Sequence, residues 1–218
     1  MKINDKKLQV ALDTTDIAVA ESVAIAVLDC CDIIEVGTPL IKSVGVRAIS
    51  RIREVANDSV LIADMKTMDN GVMEVDLALD AGADGVTIQA AAPMATVEHA
   101  YGACMDRGKL CYIDSLGLAL TDFLRIFKKF EAAKAVFHVG VDEQYQGRST
   151  KDIKQFLNSD EIPFGSALAG GINIQSIGEL VSLARIDTFI VGSAITKQHN
   201  AREQAEAIFQ IIAQARSR

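Results

Sequence analysis

The chain has 218 residues, half of them hydrophobic and only 5% aromatic, and its formal net charge is −7. The negative charge argues against a nucleic-acid partner, because phosphate backbones require clustered Lys and Arg. No apolar run reaches the ~18 residues of a membrane span, so we expect no membrane partner. The segment Met1–Lys7 is polar and lacks a signal-peptide pattern, so we expect a cytoplasmic protein.

The four cysteines do not point to a zinc site. Cys30 and Cys31 are adjacent, and neither they nor Cys104 and Cys111 have zinc-ligand spacing. We therefore expect reduced thiols that pack as small hydrophobic side chains.

Short apolar segments alternate with amphipathic stretches along the chain. The apolar segments have the nearly continuous hydrophobic character of parallel strands that are covered on both faces. The stretches between them show helical periodicity, as at Val46, Ile49 and Ile52. The predicted strands are, in chain order, Leu8–Leu12, Ile33–Val36, Val60–Ile62, Gly85–Ile88, Leu110–Ile113, Ala135–Phe137, Ser166–Ala169 and Thr188–Val191.

Regular alternation of strands and helices implies a parallel sheet. Eight such units close naturally into a (β/α)8 TIM barrel, and a doubly wound open sheet is the alternative. No linker rich in proline and serine divides the chain, so we predict a single catalytic domain over residues 1–218. In a barrel the chemistry lies where each strand ends and its loop begins, so the strand ends are the places to inspect.

The third predicted strand is followed by Asp64, Lys66 and Asp69. Asp64 and Lys66 are two residues apart on a segment predicted to be extended, so their side chains should point the same way. Neighbouring carboxylates keep an ammonium charged, and such a cation can stabilise an oxyanion that forms during a reaction. The alternative is an ion-paired network at the barrel rim without a catalytic role.

Glu35 closes the second predicted strand, next to Asp64 on the third. Two adjacent carboxylates repel each other unless a proton or a cation lies between them. Mg²⁺ binds carboxylate, water and substrate oxygens, so we predict a Mg²⁺ site at Glu35 and Asp64. Mn²⁺ suits the same ligands. The alternative is a salt bridge between Glu35 and Lys66 with no metal.

Two further strand ends carry polar candidates. Asp13 follows the first strand and could orient Lys66, bind a substrate hydroxyl or cap the next helix. His138 closes the sixth strand, where an imidazole near a cationic lysine is easily neutral and able to shuttle protons. A purely structural hydrogen bond is the alternative for His138.

Glycine-containing loops follow the last two strands. Gly170 and Gly171 come after the seventh strand, and Gly192 and Ser193 after the eighth. Loops at these two positions of a barrel often hold a phosphate, and glycine lets the backbone approach it closely. We therefore predict a phosphate-binding site for a small-molecule sugar phosphate.

These motifs resemble a known enzyme family. Ala11–Asp13, Glu35–Ile41 and the Asp-x-Lys-x-x-Asp element of Asp64–Asp69 are similar to the orotidine 5′-phosphate decarboxylase suprafamily. The similarity covers nearly the whole chain. It is greatest to the branch that holds 3-hexulose-6-phosphate synthase and 3-keto-L-gulonate-6-phosphate decarboxylase, and it implies chemistry through an enediolate.

The resemblance implies a role for the acidic residues and the lysine. Glu35 and Asp64 match the branch's Mg²⁺ ligands, and Lys66 matches the residue that stabilises the enediolate. Asp69 matches a carboxylate that reaches into the partner subunit's site. The implied active unit is therefore a homodimer with shared active sites.

The resemblance also covers the remaining candidates. Asp13 matches a substrate-binding aspartate, and His138 matches the histidine that transfers protons. The phosphate-binding loops of the branch match the segments that contain Gly171, Gly192 and Ser193.

Two positions favour the synthase within the branch. The decarboxylase typically has an arginine where this chain has Val141, and commonly another in the loop that contains Ser193. The segments Asp114–Gly117 and Gln89–Ala91 match neither enzyme well. We therefore expect an aldolase similar to 3-hexulose-6-phosphate synthase, which condenses ribulose 5-phosphate with formaldehyde. The alternatives are decarboxylation of 3-keto-L-gulonate 6-phosphate and a sugar-phosphate-binding barrel without catalysis.

Overall fold

The computed structural model describes residues 5–216. Within that range the parallel strands pair in chain order, and the eighth strand pairs with the first to close the barrel. This closure confirms the predicted (β/α)8 fold and excludes an open sheet. The strands are β1 Lys7–Leu12, β2 Ile33–Val36, β3 Val60–Thr67, β4 Gly85–Gln89, β5 Leu110–Asp114, β6 Lys134–His138, β7 Ser166–Ala169 and β8 Ile186–Val191.

The helices lie between the strands in sequence and cover the outside of the barrel. Their buried side chains recur at helical spacing, as Ala48, Ile49 and Ile52 do. No helix in residues 5–216 is both long enough and apolar enough to cross a membrane. The helices are α1 Ile17–Val27, α2 Thr38–Val44, α3 Arg47–Val55, α4 Gly71–Asp80, α5 Met94–Asp106, α6 Leu120–Phe127, α7 Val141–Tyr145, α8 Thr150–Leu157, α9 Ile174–Leu180, α10 Ser193–Thr196 and α11 Ala201–Arg216.

The predicted strands all coincide with observed ones, and the largest difference is at β3. That strand continues past its predicted end at Ile62 to Thr67, so it contains both Asp64 and Lys66. The apolar pattern stops at Ile62, but the backbone stays in the strand, in line with the extended segment predicted at Asp64. The predicted domain, residues 1–218, and the first four residues of the polar N-terminal segment extend beyond the described range.

The strands separate two apolar regions. The larger one lies between the strands and the surrounding helices and includes Phe123 and Phe137, whose rings pack edge to face with centroids 5.3 Å apart. Cys30, Cys104 and Cys111 are buried, and all four thiols are free, as expected. The smaller region fills the barrel interior with Ala11, Ile33, Ile62, Tyr112, Val136, Ala167, Ala169 and Ile190.

Lysine side chains close the amino-terminal end of the barrel. Lys6 is buried, and its Nζ donates hydrogen bonds to the carbonyl oxygens of Leu183 and Ile186, both at 2.6 Å. Lys134 Nζ donates to Asp187 Oδ1 at 2.6 Å. Because both ammonium groups are hydrogen-bonded to protein atoms, this end is a structural base.

Candidate active site

A cavity of about 640 Å³ opens at the carboxyl ends of the strands. A volume of this size accommodates a small metabolite. Ala11 and Ala169 of the barrel interior form part of its wall, and their small side chains leave the space open. The predicted site residues that line it are Asp13, Glu35, Asp64, Lys66, His138, Gly170, Gly171, Gly192 and Ser193.

Asp64 is held by three side chains from three different elements. Lys66 Nζ donates to both carboxylate oxygens, at 2.9 Å to Oδ1 and 2.8 Å to Oδ2. Thr38 Oγ1, at the start of α2, donates to Oδ2 at 2.6 Å. Thr87 Oγ1, on β4, donates to Oδ1 at 2.6 Å. The carboxylate is therefore fixed in orientation before any ligand binds.

The backbone of β3 is irregular where it presents these groups. Ala63 pairs with Val86 and Thr67 pairs with Ile88, so Asp64–Lys66 lies opposite the single residue between them on β4. This is a β-bulge, which re-aims side chains at the edge of a barrel. Lys66 has a left-handed φ of 48°. The prediction of an extended segment is therefore wrong at Lys66, although its ammonium does reach Asp64.

Asp114, at the end of β5, joins the lysine to the histidine. Its Oδ2 accepts a hydrogen bond from Lys66 Nζ at 3.3 Å and lies 2.8 Å from His138 Nδ1. Burial alone would raise the pKa of Asp114, but His138 and Lys66 hold that pKa at about 2. Sequence reasoning missed this role. The position of Asp114 at a strand end was the signal that could have identified it.

The pairing with Asp114 also sets the charge of its two partners. Burial alone would lower the pKa of His138, and the adjacent carboxylate more than offsets this and raises it above the ordinary histidine value. Burial likewise opposes the charge on Lys66, and Asp64 together with Asp114 raises its pKa above the ordinary lysine value. The cavity wall thus carries a permanent ammonium beside a histidine that titrates above its usual range.

Glu35 and Asp64 offer oxygen ligands for a divalent cation. Burial and then the charge of Asp64 raise the pKa of Glu35 well above its ordinary value, and a bound cation would relieve that repulsion. Gln9 Nε2 donates to Glu35 Oε2 at 2.6 Å and orients the carboxyl group. No salt bridge joins Glu35 to Lys66 within the described part of the chain. The two carboxylates fit Mg²⁺, which prefers few protein ligands and keeps several waters.

Residues 5–216 contain no cluster of three or more His, Cys, Asp or Glu side chains arranged to hold a metal. A two-carboxylate site, which substrate and water oxygens complete, is the kind of metal site that these side chains could form.

Asp13 lies in a cradle between two glycines. A Cβ on Gly37 would lie 2.3 Å from Asp13 Oδ1, and a Cβ on Gly192 would lie 2.4 Å from Oδ2. Burial, and then the charge of Asp64, raise the pKa of Asp13 above its ordinary value. Asp16, not Asp13, caps α1, so the capping alternative is excluded. A side chain at 192 would therefore displace the Asp13 carboxylate from its observed position, a relation that the sequence did not reveal.

The loops after β7 and β8 line one part of the cavity. Gly170 has a φ of +105°, and a Cβ there would lie 2.1 Å from the carbonyl oxygen of Val139, so only glycine fits. Gly171 and Ser193 are exposed to the cavity. Lys197, which follows α10, also lines it and was not identified from the sequence. The described cavity wall has an ammonium near these loops but no arginine.

Asp69 lies apart from the other predicted site residues. It does not line the cavity, its side chain is exposed, and its Oδ1 accepts a hydrogen bond from the backbone N–H of Asn70 at 2.7 Å. Met68, Val72 and Met73, which are close to it in sequence, are exposed hydrophobic residues. Within its own chain Asp69 takes no part in the network around Lys66.

Comparison with known proteins identifies the family. Residues 6–208 match the family described as orotidine 5′-phosphate decarboxylase / HUMPS. A 3-hexulose-6-phosphate synthase from Mycobacterium gastri is 35% identical over 195 residues, which are 87% of this chain and 91% of that protein. The chain also matches bifunctional Fae/Hps enzymes and spans about half their length.

Solved structures give the same result. The structure of 3-hexulose-6-phosphate synthase from Salmonella typhimurium superposes with a TM-score of 0.88 at 34% identity and covers 96% of this chain and 99% of that one. A 3-keto-L-gulonate-6-phosphate decarboxylase from Vibrio cholerae superposes with a TM-score of 0.79 at 27% identity and covers 96% and 98%. The chain therefore belongs to the orotidine 5′-phosphate decarboxylase / HUMPS family.

Proposed function

We propose that this protein is an aldolase that condenses ribulose 5-phosphate with formaldehyde to give 3-hexulose 6-phosphate, with one barrel domain carrying the activity. The observation that carries the proposal is the pair of contacts from Asp114 to Lys66 and His138 at the cavity wall. An enediolate requires both a proton acceptor and a fixed positive charge, and this arrangement supplies them side by side. The relatives named 3-hexulose-6-phosphate synthase support the choice of reaction.

His138 takes the proton from carbon 1 of the sugar phosphate. Because Asp114 is ionised and accepts a hydrogen bond from Nδ1, it favours the tautomer with the proton on Nδ1. Nε2 is then free to accept the substrate proton. The same nitrogen returns a proton at the end of the reaction.

Lys66 stabilises the negative charge that develops on the enediolate oxygens. Its raised pKa keeps the ammonium protonated throughout, and its contacts with Asp64 and Asp114 hold it in place. A positive charge that is already oriented needs no rearrangement when the oxyanion forms, which is the basis of electrostatic catalysis.

We assign Glu35 and Asp64 as ligands of a divalent metal, with Mg²⁺ as the expected ion. When bound, the metal would act as a Lewis acid on the substrate's carbonyl. The raised pKa of Glu35 supports this assignment, because burial and then the charge of Asp64 both disfavour its ionised form, and a bound cation would offset them. Gln9 keeps the Glu35 carboxyl group oriented toward the cavity.

The phosphate binds at the loops after β7 and β8, where Gly170, Gly171, Gly192 and Ser193 line the cavity. Lys197 adds a positive charge there that forms no salt bridge within residues 5–216. Asp13, whose carboxyl group is partly buried at the cavity wall, accepts a hydrogen bond from a substrate hydroxyl.

The charges at the cavity wall favour an aldol reaction over decarboxylation. The decarboxylase substrate carries a carboxylate in addition to its phosphate, and a second anion needs a cation of its own. Lys66 is assigned to the enediolate oxygens and Lys197 to the phosphate, and the described wall contains no arginine that could bind a further anion. Val141, at the position where the decarboxylase has arginine, is an exposed apolar residue at the cavity rim.

A homodimer completes the proposed active unit. Asp69 is exposed outside its own cavity and lies beside exposed hydrophobic side chains at Met68, Val72 and Met73. An apolar patch next to a carboxylate suits an interface in which Asp69 enters the partner's site. The carboxylate would then act on a substrate bound by the other chain.

Formaldehyde-dependent turnover is the first test of the function. The wild-type protein should consume ribulose 5-phosphate only when formaldehyde is present, and Lys66→Ala should lower kcat/KM about 10²–10³-fold because the fixed charge is lost. Lys128→Ala, at an exposed lysine beyond α6, is the control and should behave like wild type. Release of CO2 from 3-keto-L-gulonate 6-phosphate, without formaldehyde-dependent turnover, would instead establish the decarboxylase. Ribulose 5-phosphate binding without any turnover would favour the non-catalytic barrel.

Metal binding can be measured without turnover. Titration calorimetry with Mg²⁺ should give a site on the wild-type protein that Glu35→Gln weakens at least about tenfold, because one of two charged ligands is lost. Glu131→Gln, at an exposed glutamate, should leave the affinity unchanged. Equal affinities of wild type and Glu35→Gln would contradict the assignment.

The pH dependence reports the pairing of His138 with Asp114. Because His138 must be neutral to accept a proton, and because Asp114 raises its pKa, kcat/KM should increase with pH through an apparent pKa above the ordinary value of 6.5. Asp114→Asn should move this rising limb of the pH profile to lower pH and reduce kcat/KM about 10–100-fold. Asp122→Asn on α6 is the control. A limb that stays in place in Asp114→Asn would rule out this role of the pair.

Mixing two inactive variants tests the shared site. Lys66→Ala and Asp69→Ala should each be nearly inactive alone, yet mixed dimers contain one site in which both residues are intact. Random exchange between symmetric dimers should therefore restore about a quarter of wild-type activity. If the mixture remains as inactive as its components, Asp69 does not act in the partner's site.

A further inference from the structure

We propose that Thr87 is a positioning residue whose single hydroxyl group holds the β3 bulge in the conformation that presents Lys66 and Asp64 to the cavity. This inference rests on the proposed roles of Lys66 and Asp64 and adds the group that fixes their relative position. Thr87 lies on β4 at the cavity wall and is 3% exposed, and its hydroxyl is bound to Lys66 and Asp64, so it acts through these two residues rather than on the substrate's reacting atoms.

The Thr87 hydroxyl makes two hydrogen bonds of opposite sense. Its oxygen accepts a hydrogen bond from the backbone N–H of Lys66 at 3.1 Å, and its O–H donates one to Asp64 Oδ1 at 2.6 Å. One hydroxyl offers one donor and two acceptor sites, so both bonds form at once. The hydroxyl thereby connects the main chain of the lysine to the side chain of the aspartate.

The bulge creates the need for this hydroxyl. In a regular parallel sheet each strand N–H bonds a carbonyl oxygen of one of the two neighbouring strands, but Asp64–Lys66 is displaced from the β3–β4 ladder. The N–H of Lys66 would then be buried without a partner, which is unfavourable. The Thr87 hydroxyl replaces the missing carbonyl.

The left-handed backbone at Lys66 is a second observation that calls for a contact to hold the bulge. A non-glycine residue at φ 48° is strained and persists only where surrounding contacts impose it. The strained residue itself donates its backbone N–H to the Thr87 hydroxyl. If this hydrogen bond were lost, the backbone could relax toward a regular strand, and the ammonium would move away from Asp64 and Asp114.

Other threonines of the site do not duplicate this function. Thr38 donates to Asp64 Oδ2 but has no hydrogen bond to the Lys66 backbone in the described structure. Thr67, the next residue after Lys66, is fully buried, and its hydroxyl has no hydrogen-bond partner among the described residues. Thr67 therefore provides a matched control. It is a threonine on β3 next to Lys66, and it lacks the hydrogen bonds that Thr87 makes to Lys66 and Asp64.

The test compares Thr87→Val, which keeps the side-chain shape, with Thr87→Ser, which keeps the hydroxyl. Two quantities should be measured for each variant and for Thr67→Val: kcat and KM for ribulose 5-phosphate with formaldehyde, and hydrogen exchange of the Lys66 amide by NMR. The exchange measurement does not depend on the reaction that the enzyme catalyses.

For Thr87→Val we expect kcat to fall about 10–100-fold with KM within about twofold, as for a misplaced catalytic group. Exchange of the Lys66 amide should accelerate at least about tenfold, because its hydrogen-bond acceptor is lost. Thr87→Ser should stay within about threefold of wild type in both measurements, because its hydroxyl can make the same two bonds. Thr67→Val should leave both unchanged.

Two results would overturn the proposal. One is unchanged exchange of the Lys66 amide in Thr87→Val. The other is an equal loss in Thr87→Ser and Thr87→Val, which would mean that side-chain volume rather than the hydroxyl is important. If the wild-type protein did not catalyse the aldol reaction, the proposed function would fail alone, and the exchange data would still decide whether Thr87 holds the bulge.

Discussion

A partly buried ammonium group between two carboxylates is the interaction on which the site depends. Lys66 sits between Asp64 and Asp114, and Asp114 in turn carries His138. Taking such charges out of water is unfavourable unless each is paired and hydrogen-bonded. The barrel meets that condition because β3, β5 and β6 end at the same rim, so groups from distant parts of the sequence meet there. Removing either carboxylate would leave an unbalanced charge in a partly buried wall.

The fold and most of the cavity residues could be predicted from the sequence because both follow from simple periodic rules. Parallel strands covered on both faces give continuous apolar segments, and residues at their ends converge on one face of a barrel. Those two rules located the strands and brought Asp13, Glu35 and Lys66 to one cavity. Neither rule depends on exact strand bounds, so the prediction of the cavity residues did not depend on where β3 ends.

What the sequence could not supply were relations that depend on register and backbone angles. The left-handed φ of Lys66 leaves no mark in residue type, because lysine is not a residue that favours it. The link from Asp114 to His138 depends on two side chains of adjacent strands turning toward each other. Asp69 illustrates the opposite case. It belongs to the same motif as Lys66, yet it lies outside the cavity, in the loop that follows the end of β3 at Thr67.

The cradle of Asp13 ties together positions that are far apart in the chain. Around Gly192 the nearest atoms that an added Cβ would meet belong to Asp13, whereas around Gly37 the backbone oxygen of Leu12 also stands 2.9 Å away. Glycine at 192 is therefore conditional on the residue at 13, while glycine at 37 is required in either case. In evolutionary terms, a lineage that shortened the side chain at 13 would be released from its constraint at 192 but not at 37. Substitution at 192 is thus coupled to the residue at 13, whereas position 37 is constrained independently of both.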